Sequence, residues 1–210
     1  MSPDTGVPPR ITMSLITAFK IDFDVSILDY DFTNLRKETK IHQDKATTQS
    51  NLRVLETHTE LRDELNNHVN NFFLHTYKFG DQQNQEFVIT TSWLTRLDKH
   101  MPQINKHRHT CAFWSGVLYY DEKYHWDPTP LQFESPIPWS DFNFESPTFS
   151  RQIQIQPKTG LCILFPADIY HYTDKIKKDE VRRSLAFNIM PKGLTGIAGS
   201  DSYYHPSWLI

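Results

Sequence analysis

The stretch Asn105 to Tyr120, NKHRHTCAFWSGVLYY, decides the fold class of this chain. It begins with two histidines separated by one residue, His107 and His109, and continues directly into a segment rich in apolar and aromatic residues. Such a segment is typical of a buried β-strand. Because residues i and i+2 of a strand project to the same side, the pattern predicts two imidazoles on one face, close enough to share a metal ion.

Further short strand-like segments lie on both sides of this stretch, from Glu86 onward. They are separated by turns that contain Pro, Asp or Gly, and they read FVITTSWL, FSRQIQIQP, GLCILFP and RRSLAFNIM. Several short strands with this punctuation are typical of an all-β sandwich or barrel. We therefore expect a mainly β fold.

One long amphipathic helix is expected before the strands, from about residue 51 to 78. Ser50 is a good N-cap residue. Apolar residues then recur at helical spacing, namely Leu61, Leu65, Val69 and Phe72. This helix should pack on the outside of the β core, against one sheet.

The length of 210 residues is sufficient for one sizeable core, so we expect a single domain over residues 1–210. Within it we expect N-terminal strands in 1–50, the helix in 51–78, the β core in 86–190 and a C-terminal tail in 191–210. The proline-dotted stretch 124–149 is predicted to be a long irregular excursion. Its aromatic residues suit a lid, a peptide groove or a homodimer contact equally well.

Composition excludes several classes of function. The formal charge is −3 and no long run of Lys or Arg occurs, which argues against a nucleic-acid surface. No apolar run has the length of a membrane span and the N-terminus does not resemble a signal peptide, so we expect a cytoplasmic protein that does not bind membranes. Cys111 and Cys162 lie in apolar runs and are expected to be buried free thiols, with a disulfide as the alternative.

A metal ion requires at least a third protein ligand, and His171 is the best distant candidate. It follows the glycine-led apolar strand GLCILFP and a proline turn, which would return the chain across the barrel. His-x-His alone is weak evidence, but the ordered combination with His171 is far more restrictive. The other histidines are read as ordinary exposed or satisfied side chains: His42, His58, His68, His75 and His205.

Arg182 and Ser184 alternate onto one face of the final predicted strand. A buried arginine is costly unless an anion neutralises it, and a guanidinium matches a carboxylate in bidentate fashion. The pair therefore predicts a carboxylate site, with Arg183 on the opposite face. The alternative interpretation is that Arg182 is a surface residue.

Taken in order, these motifs resemble those of the 2-oxoglutarate/iron(II)-dependent oxygenases of bacteria and tailed phages. The resemblance covers about residues 86–190. The residues that carry it are Ser92-Trp93, His107-Arg108-His109, Ser115-Gly116-Val117-Leu118-Tyr119-Tyr120, Gly160, Phe165-Pro166, His171, Arg182, Ser184 and Phe187-Asn188.

The resemblance implies a double-stranded β-helix, or jelly-roll, core that uses Fe(II), 2-oxoglutarate as co-substrate and O₂ as oxidant. It implies that His107, His109 and His171 bind the metal, and that Arg182 and Ser184 bind the distal carboxylate of 2-oxoglutarate. Tyr119 shares strand parity with His107, so it is expected either to line the co-substrate pocket or to belong to the core.

One departure concerns His109, which stands where the usual facial triad has Asp or Glu. Either all three histidines bind the metal, which we favour, or only two of them bind and water or a loop carboxylate completes the shell. The candidates for that carboxylate are Asp121, Glu122 and Asp127.

The expected reaction is hydroxylation of a C–H bond in a small-molecule or peptide substrate, with a prolyl-hydroxylase-like activity as the leading hypothesis. One alternative is a three-histidine iron dioxygenase of the cupin type, which uses no 2-oxoglutarate. Another is a non-enzymatic jelly roll with a structural or binding role. Arg182 discriminates among them, because neither alternative requires a buried carboxylate anchor.

Overall fold

The computed structural model describes residues 16–24, 27–28, 52–76, 85–99, 102–120, 128–134, 152–194 and 199. Within these ranges the chain is mainly β, as the sequence predicted. The strands are β1 (Thr17–Lys20), β2 (Glu86–Leu97), β3 (Trp114–Tyr119), β4 (Leu131–Glu134), β5 (Gln152–Ile155), β6 (Leu161–Pro166), β7 (His171–Thr173) and β8 (Arg182–Lys192). The helices are α1 (Val54–Thr57) and α2 (Thr59–Thr76).

The strands form two antiparallel sheets that pack face to face. The larger sheet has the order β1-β6-β3-β8-β2 and the smaller sheet the order β5-β4-β7. Phe133 from the smaller sheet meets Phe165 from the larger sheet edge to face, with ring centroids 4.9 Å apart. Both rings belong to the apolar cluster between the sheets. This interior is where the candidate site lies.

Strand β8 contributes side chains to both faces of the larger sheet. Its side chains alternate with the period of two that a strand imposes. Leu185, Phe187 and Ile189 join the apolar cluster that also contains the buried face of α2. Arg182 and Ser184 lie on the other face and line a cavity between the sheets. The predicted alternation of this strand is confirmed.

Gly116 lies on β3, directly opposite Phe187 of β8. A Cβ atom at this position would clash with the Phe187 ring. The glycine of the Ser115-Gly116 motif therefore allows an aromatic ring to cross β3, and its role is packing.

The prediction of one uninterrupted helix over residues 51–78 is wrong. The chain forms the four-residue helix α1 and then the 18-residue helix α2. His58 separates them because its backbone has φ −117° and ψ 66°, outside the helical region. The proposed N-cap, Ser50, lies outside the described residues.

The buried stripe of α2 differs from the prediction at one position. Leu61, Leu65 and Val69 are fully buried, as expected, but Phe73 continues the stripe. Phe72 is only partly buried and packs against Trp114, with ring centroids 5.2 Å apart. Each residue of the stripe follows the previous one by four positions, and residues four apart lie on the same side of a helix. This spacing explains why Phe73 is buried and Phe72 is not.

Two further predictions are wrong. The stretch 124–149 contains strand β4, and Phe133 within it is buried in the core and is no part of a lid or groove. Residues 121–127 and 135–151 lie outside the described residues. Cys162 is buried as expected, but Cys111 is exposed, because it lies in the turn before β3.

In the described part of the chain, no helix has the length and apolarity of a membrane span.

Two leucines of α2 provide a test of this packing. Leu65→Ala should lower the free energy of unfolding by about 2–5 kcal/mol, because the side chain is fully buried and its removal leaves a cavity. Leu74→Ala is the matched control, since 61% of Leu74 is exposed, and it should change stability by less than about 0.5 kcal/mol. Urea unfolding measures both, and equal losses would contradict the orientation of α2.

Candidate metal centre

A backbone bridge brings His107 and His171 together. The His107 N–H donates to the carbonyl of His171 at 3.1 Å, and the His171 N–H donates to the carbonyl of His107 at 2.9 Å. The His109 N–H donates to the carbonyl of Ala167 at 2.8 Å. Residues 107–109 therefore run antiparallel to residues 167–171, so the predicted return of His171 across the barrel is observed. The prediction that His107 and His109 lie on a regular strand is wrong, because β3 begins only at Trp114.

The three imidazoles converge. Ring centroids are 4.3 Å apart for His107 and His171, 5.2 Å for His109 and His171, and 5.3 Å for His107 and His109. One nitrogen from each ring lies within 4.8 Å of the other two. The structure thus places together the three histidines that the sequence singled out.

Hydrogen bonds leave the same nitrogen free on each ring. The Nδ1 of His107 lies 2.8 Å from the carbonyl of Asn105, and the Nδ1 of His171 lies 3.0 Å from the carbonyl of Ile169. The Nδ1 of His109 lies 2.6 Å from Oδ1 of Asn188. With Nδ1 donating to these oxygens, each Nε2 carries a lone pair. This outer layer of acceptors is typical of metal-binding histidines.

Burial keeps two of these rings uncharged. Desolvation lowers the pKa of His171 to about 3, and the neighbouring His107 contributes in the same direction. Desolvation also lowers the pKa of His109, more than its hydrogen bond to Asn188 raises it. Both imidazoles are therefore neutral at physiological pH, the protonation state in which histidine binds a metal ion.

The histidines open into a cavity of about 50 Å³ that Arg182 and Ser184 also line. Arg182 is 2% exposed. Its Nη1 donates to the carbonyl of Thr129 at 3.1 Å and its Nη2 to the hydroxyl of Tyr119 at 2.9 Å. Its Nε is buried without a partner, and no carboxylate of the described residues pairs with it. The alternative that Arg182 is a surface residue is wrong.

Tyr119 belongs to the core, which is one of the two locations that the sequence left open, the other being the wall of the co-substrate pocket. It is fully buried and lies behind Arg182, with its ring centroid 5.0 Å from the guanidinium carbon. Its side chain contacts the arginine, while the cavity itself is lined by other residues. Tyr119 therefore orients Arg182.

Several residues of this region were not identified from the sequence as part of a site. Trp93 lines the cavity and stacks on His109, with ring centroids 5.6 Å apart. Asn188 continues the alternation of Arg182 and Ser184 along β8, and this parity was the signal that would have found it.

Glu180 gave no signal in the sequence. Its buried carboxylate accepts hydrogen bonds from the N–H and the hydroxyl of Thr129, a residue that is 51 positions away. These two hydrogen bonds hold Thr129 in place, and the carbonyl of Thr129 accepts a hydrogen bond from Arg182. The loop carboxylates considered as metal ligands, Asp121, Glu122 and Asp127, lie outside the described residues.

Residues 91–188, which contain all of these side chains, match the sequence model of a family described as "Putative 2OG-Fe(II) oxygenase". The segment that contains the candidate site is thus similar in sequence to 2OG-Fe(II) oxygenases. Among curated proteins, none matches the sequence significantly.

Solved structures of 2OG-Fe(II) oxygenases are similar to this chain. An oxidoreductase of the 2OG-Fe(II) oxygenase family from Burkholderia pseudomallei has a TM-score of 0.51 and 15% identity, over 83% of each chain. A prolyl-4-hydroxylase from Pseudomonas putida has a TM-score of 0.51 and 12% identity, over 85% of this chain and 93% of its own. The non-heme alpha ketoglutarate dependent epimerase SnoN from nogalamycin biosynthesis has a TM-score of 0.53 and 10% identity, over 89% and 82%. At these identities the likeness shows the fold, which is the predicted jelly roll.

The lowered pKa of His171 predicts a pH dependence of stability in the metal-free protein. An unfolded chain binds a proton at His171 below about pH 6.5, whereas the folded protein does so only near its pKa of about 3. The free energy of unfolding should therefore fall as pH is lowered from about 6.5 toward 4.

His171→Asn keeps a donor for the Ile169 carbonyl and should remove much of this slope. His75→Asn, at an exposed position of α2, is the control and should keep it. Urea unfolding at several pH values measures the slope. A His171→Asn protein with the slope of the wild type would show that His171 does not titrate as described.

Proposed function

We propose that this protein is an Fe(II)- and 2-oxoglutarate-dependent dioxygenase that hydroxylates a C–H bond. One observation carries the proposal: three convergent imidazoles open into the same cavity as a buried guanidinium, which has no carboxylate partner among the described residues. The first group suits a metal ion and the second suits an organic acid. The match of residues 91–188 to 2OG-Fe(II) oxygenases supports pairing them in one reaction.

The donor set fits Fe(II). Imidazole is an accepted ligand for iron, and the Nε2 atoms of His107, His109 and His171 are the three atoms left to bind it. Three neutral imidazoles together with the dianion of 2-oxoglutarate would give the Fe(II) site no net charge. When bound, iron supplies the redox chemistry that couples decarboxylation of 2-oxoglutarate by O₂ to oxidation of the substrate.

The residues of the chain orient the co-substrate and keep the site dry. Arg182 is held by Tyr119 and Thr129, so its planar donors are preorganised for the distal carboxylate of 2-oxoglutarate. The Ser184 hydroxyl lines the same cavity and adds a donor. Trp93 covers one face of His109 and limits access of water to that ligand.

The buried arginine also argues against the three-histidine dioxygenase of the cupin type. Such an enzyme uses no 2-oxoglutarate. A buried arginine without a counter-ion would then lower the stability of the protein without serving a function. The same cost argues against a non-enzymatic jelly roll. An anion that enters with every catalytic cycle explains why the cation is retained.

Two adjacent arginines of β8 provide the test. With the metal-loaded protein under anaerobic conditions, 2-oxoglutarate should produce a weak visible charge-transfer band, which reports chelation by the keto acid. Arg182→Ala should weaken 2-oxoglutarate binding by about 2–5 kcal/mol, the usual loss when one partner of a buried charge pair is removed. Arg183→Ala is the matched control, because its side chain projects from the opposite face of β8.

Equal binding of 2-oxoglutarate by the Arg182→Ala variant and the wild type would exclude the anchor role. Tight metal binding without any band in the wild type would favour the cupin-type reaction. A wild type that binds no metal would remove the enzymatic proposal altogether.

For the substrate we propose a peptide containing proline. The support is the likeness to the Pseudomonas putida prolyl-4-hydroxylase, which extends over 93% of that chain. The likeness to an epimerase shows that the same fold serves other reactions, so the reaction type must be tested directly. A small-molecule substrate is the alternative.

Proline-rich peptides offered with Fe(II), 2-oxoglutarate and O₂ should gain the mass of one oxygen atom per modified residue, detected by mass spectrometry. The His171→Ala variant should give no product, because its metal centre lacks one ligand. Formation of succinate without peptide modification would support the co-substrate assignment and exclude these peptides as substrates.

A further inference from the structure

The three histidines are not oriented in the same way. His107 and His171 each bond through Nδ1 to the backbone carbonyl two residues earlier in the chain, at Asn105 and Ile169. A backbone carbonyl can only accept a hydrogen bond. It therefore fixes each of these rings in the tautomer that carries the proton on Nδ1.

His109 is oriented by a side chain instead, because its Nδ1 faces Oδ1 of Asn188 at 2.6 Å. A side-chain amide has one accepting end and one donating end. Only the accepting end holds the proton of His109 on Nδ1 and leaves Nε2 for a metal. The Ser115 hydroxyl also lies 3.2 Å from this Nδ1, and because it donates to Oδ1 of Asn188 it can only accept a hydrogen bond from His109. The orientation of the Asn188 amide thus decides the tautomer of His109, with Ser115 acting in the same direction.

Two neighbours hold this amide. Its Nδ2 donates to Oγ1 of Thr91 at 3.1 Å, and its Oδ1 also accepts from the Ser115 hydroxyl at 2.9 Å. Thr91 lies opposite Asn188 in the β2–β8 pairing, and Ser115 lies opposite it in the β3–β8 pairing. The three side chains form one row across three strands of the larger sheet, and His109 lies beside Asn188 and Ser115.

We propose that Asn188, held by Thr91 and Ser115, is a positioning residue that locks His109 in its metal-binding tautomer. The inference rests on the proposed function, since it requires that the three histidines bind a metal. It also accounts for a neutral centre: an amide oxygen orients the imidazole without adding the negative charge that a carboxylate would bring.

Co(II) alone, added to the full chain without 2-oxoglutarate, is the probe, and its visible absorption reports binding. Asn188→Leu has a similar volume but no acceptor, and it should weaken Co(II) binding by about 10–100-fold, the usual effect of losing such a partner. Asn188→Asp keeps an oxygen facing Nδ1 and should bind within about threefold of the wild type or more tightly.

Variants of two adjacent threonines of β2 distinguish the role of the Asn188 side-chain amide from that of its backbone. Thr91→Val removes the group that receives Nδ2 of Asn188 and should weaken Co(II) binding. Thr90→Val is the matched control, because the Thr90 hydroxyl donates to the backbone carbonyl of Asn188, at 3.4 Å, and Thr91 is the residue that receives the amide. It should bind Co(II) as the wild type does.

A readout without metal tests the tautomer itself. Long-range ¹H–¹⁵N NMR of the His109 ring should show the Nδ1–H form in the metal-free wild type and a mixture of tautomers in Asn188→Leu. Thermal unfolding of the metal-free proteins checks folding. If Asn188→Leu does not fold, Thr91→Val and Ser115→Ala decide the question.

The outcomes are distinguishable. If the wild type binds no Co(II), the metal centre and the proposed function fail together. If the wild type binds but Asn188→Leu binds equally well, only the positioning role is overturned. It is also overturned if Asn188→Asp loses as much affinity as Asn188→Leu, or if Thr90→Val and Thr91→Val have the same effect, since either result would indicate a merely structural role.

Discussion

Pairing of β8 on both of its edges is the constraint on which the rest of the structure depends. Hydrogen bonds to β2 on one side and β3 on the other leave this strand no freedom to slip or twist independently. The side chains on one face of β8 pack in the apolar core beneath α2. The side chains on the other face therefore form a fixed row, from Arg182 at one end to Asn188 near the candidate metal centre. One strand thus carries both the arginine proposed to bind an acid and the asparagine that contacts His109.

The strand period made much of this predictable from the sequence. Alternation alone placed Arg182 and Ser184 on one face, and the glycine-led strand followed by a proline turn placed His171 near the other histidines. The first prediction succeeded because it depends only on the period of a strand, and the second because a strand followed by a turn returns the chain across the core. His107 and His109 lie beside His171, as predicted, but they are not on a regular strand. Their common side results from the bridge to His171 and the adjacent bond to Ala167.

What could not be predicted depends on partners that are distant in the sequence. The break at His58 leaves no clear signal in the helical periodicity, and it follows a segment that bonds to β2: the Leu55 N–H donates to the Ser92 hydroxyl, 37 residues away. The bond of Glu180 to Thr129 is of the same kind. Exposure of Cys111 shows a different limit, because an apolar run in the sequence extends beyond the strand that it indicates.

The hydrogen bonds from Thr129 to Glu180 have a consequence for how the protein would respond to the anion proposed to bind Arg182. The carbonyl of Thr129 accepts a hydrogen bond from Arg182, so the conformation of residues 128–130 and that of the guanidinium are energetically linked. Linkage is reciprocal: an anion that favours the present geometry of the guanidinium also stabilises this short segment against local unfolding, and loss of the segment weakens the grip on the anion by the same factor. Ligand occupancy would thus be readable as protection of the Thr129 amide from hydrogen exchange, at a backbone position remote in sequence from every histidine of the centre.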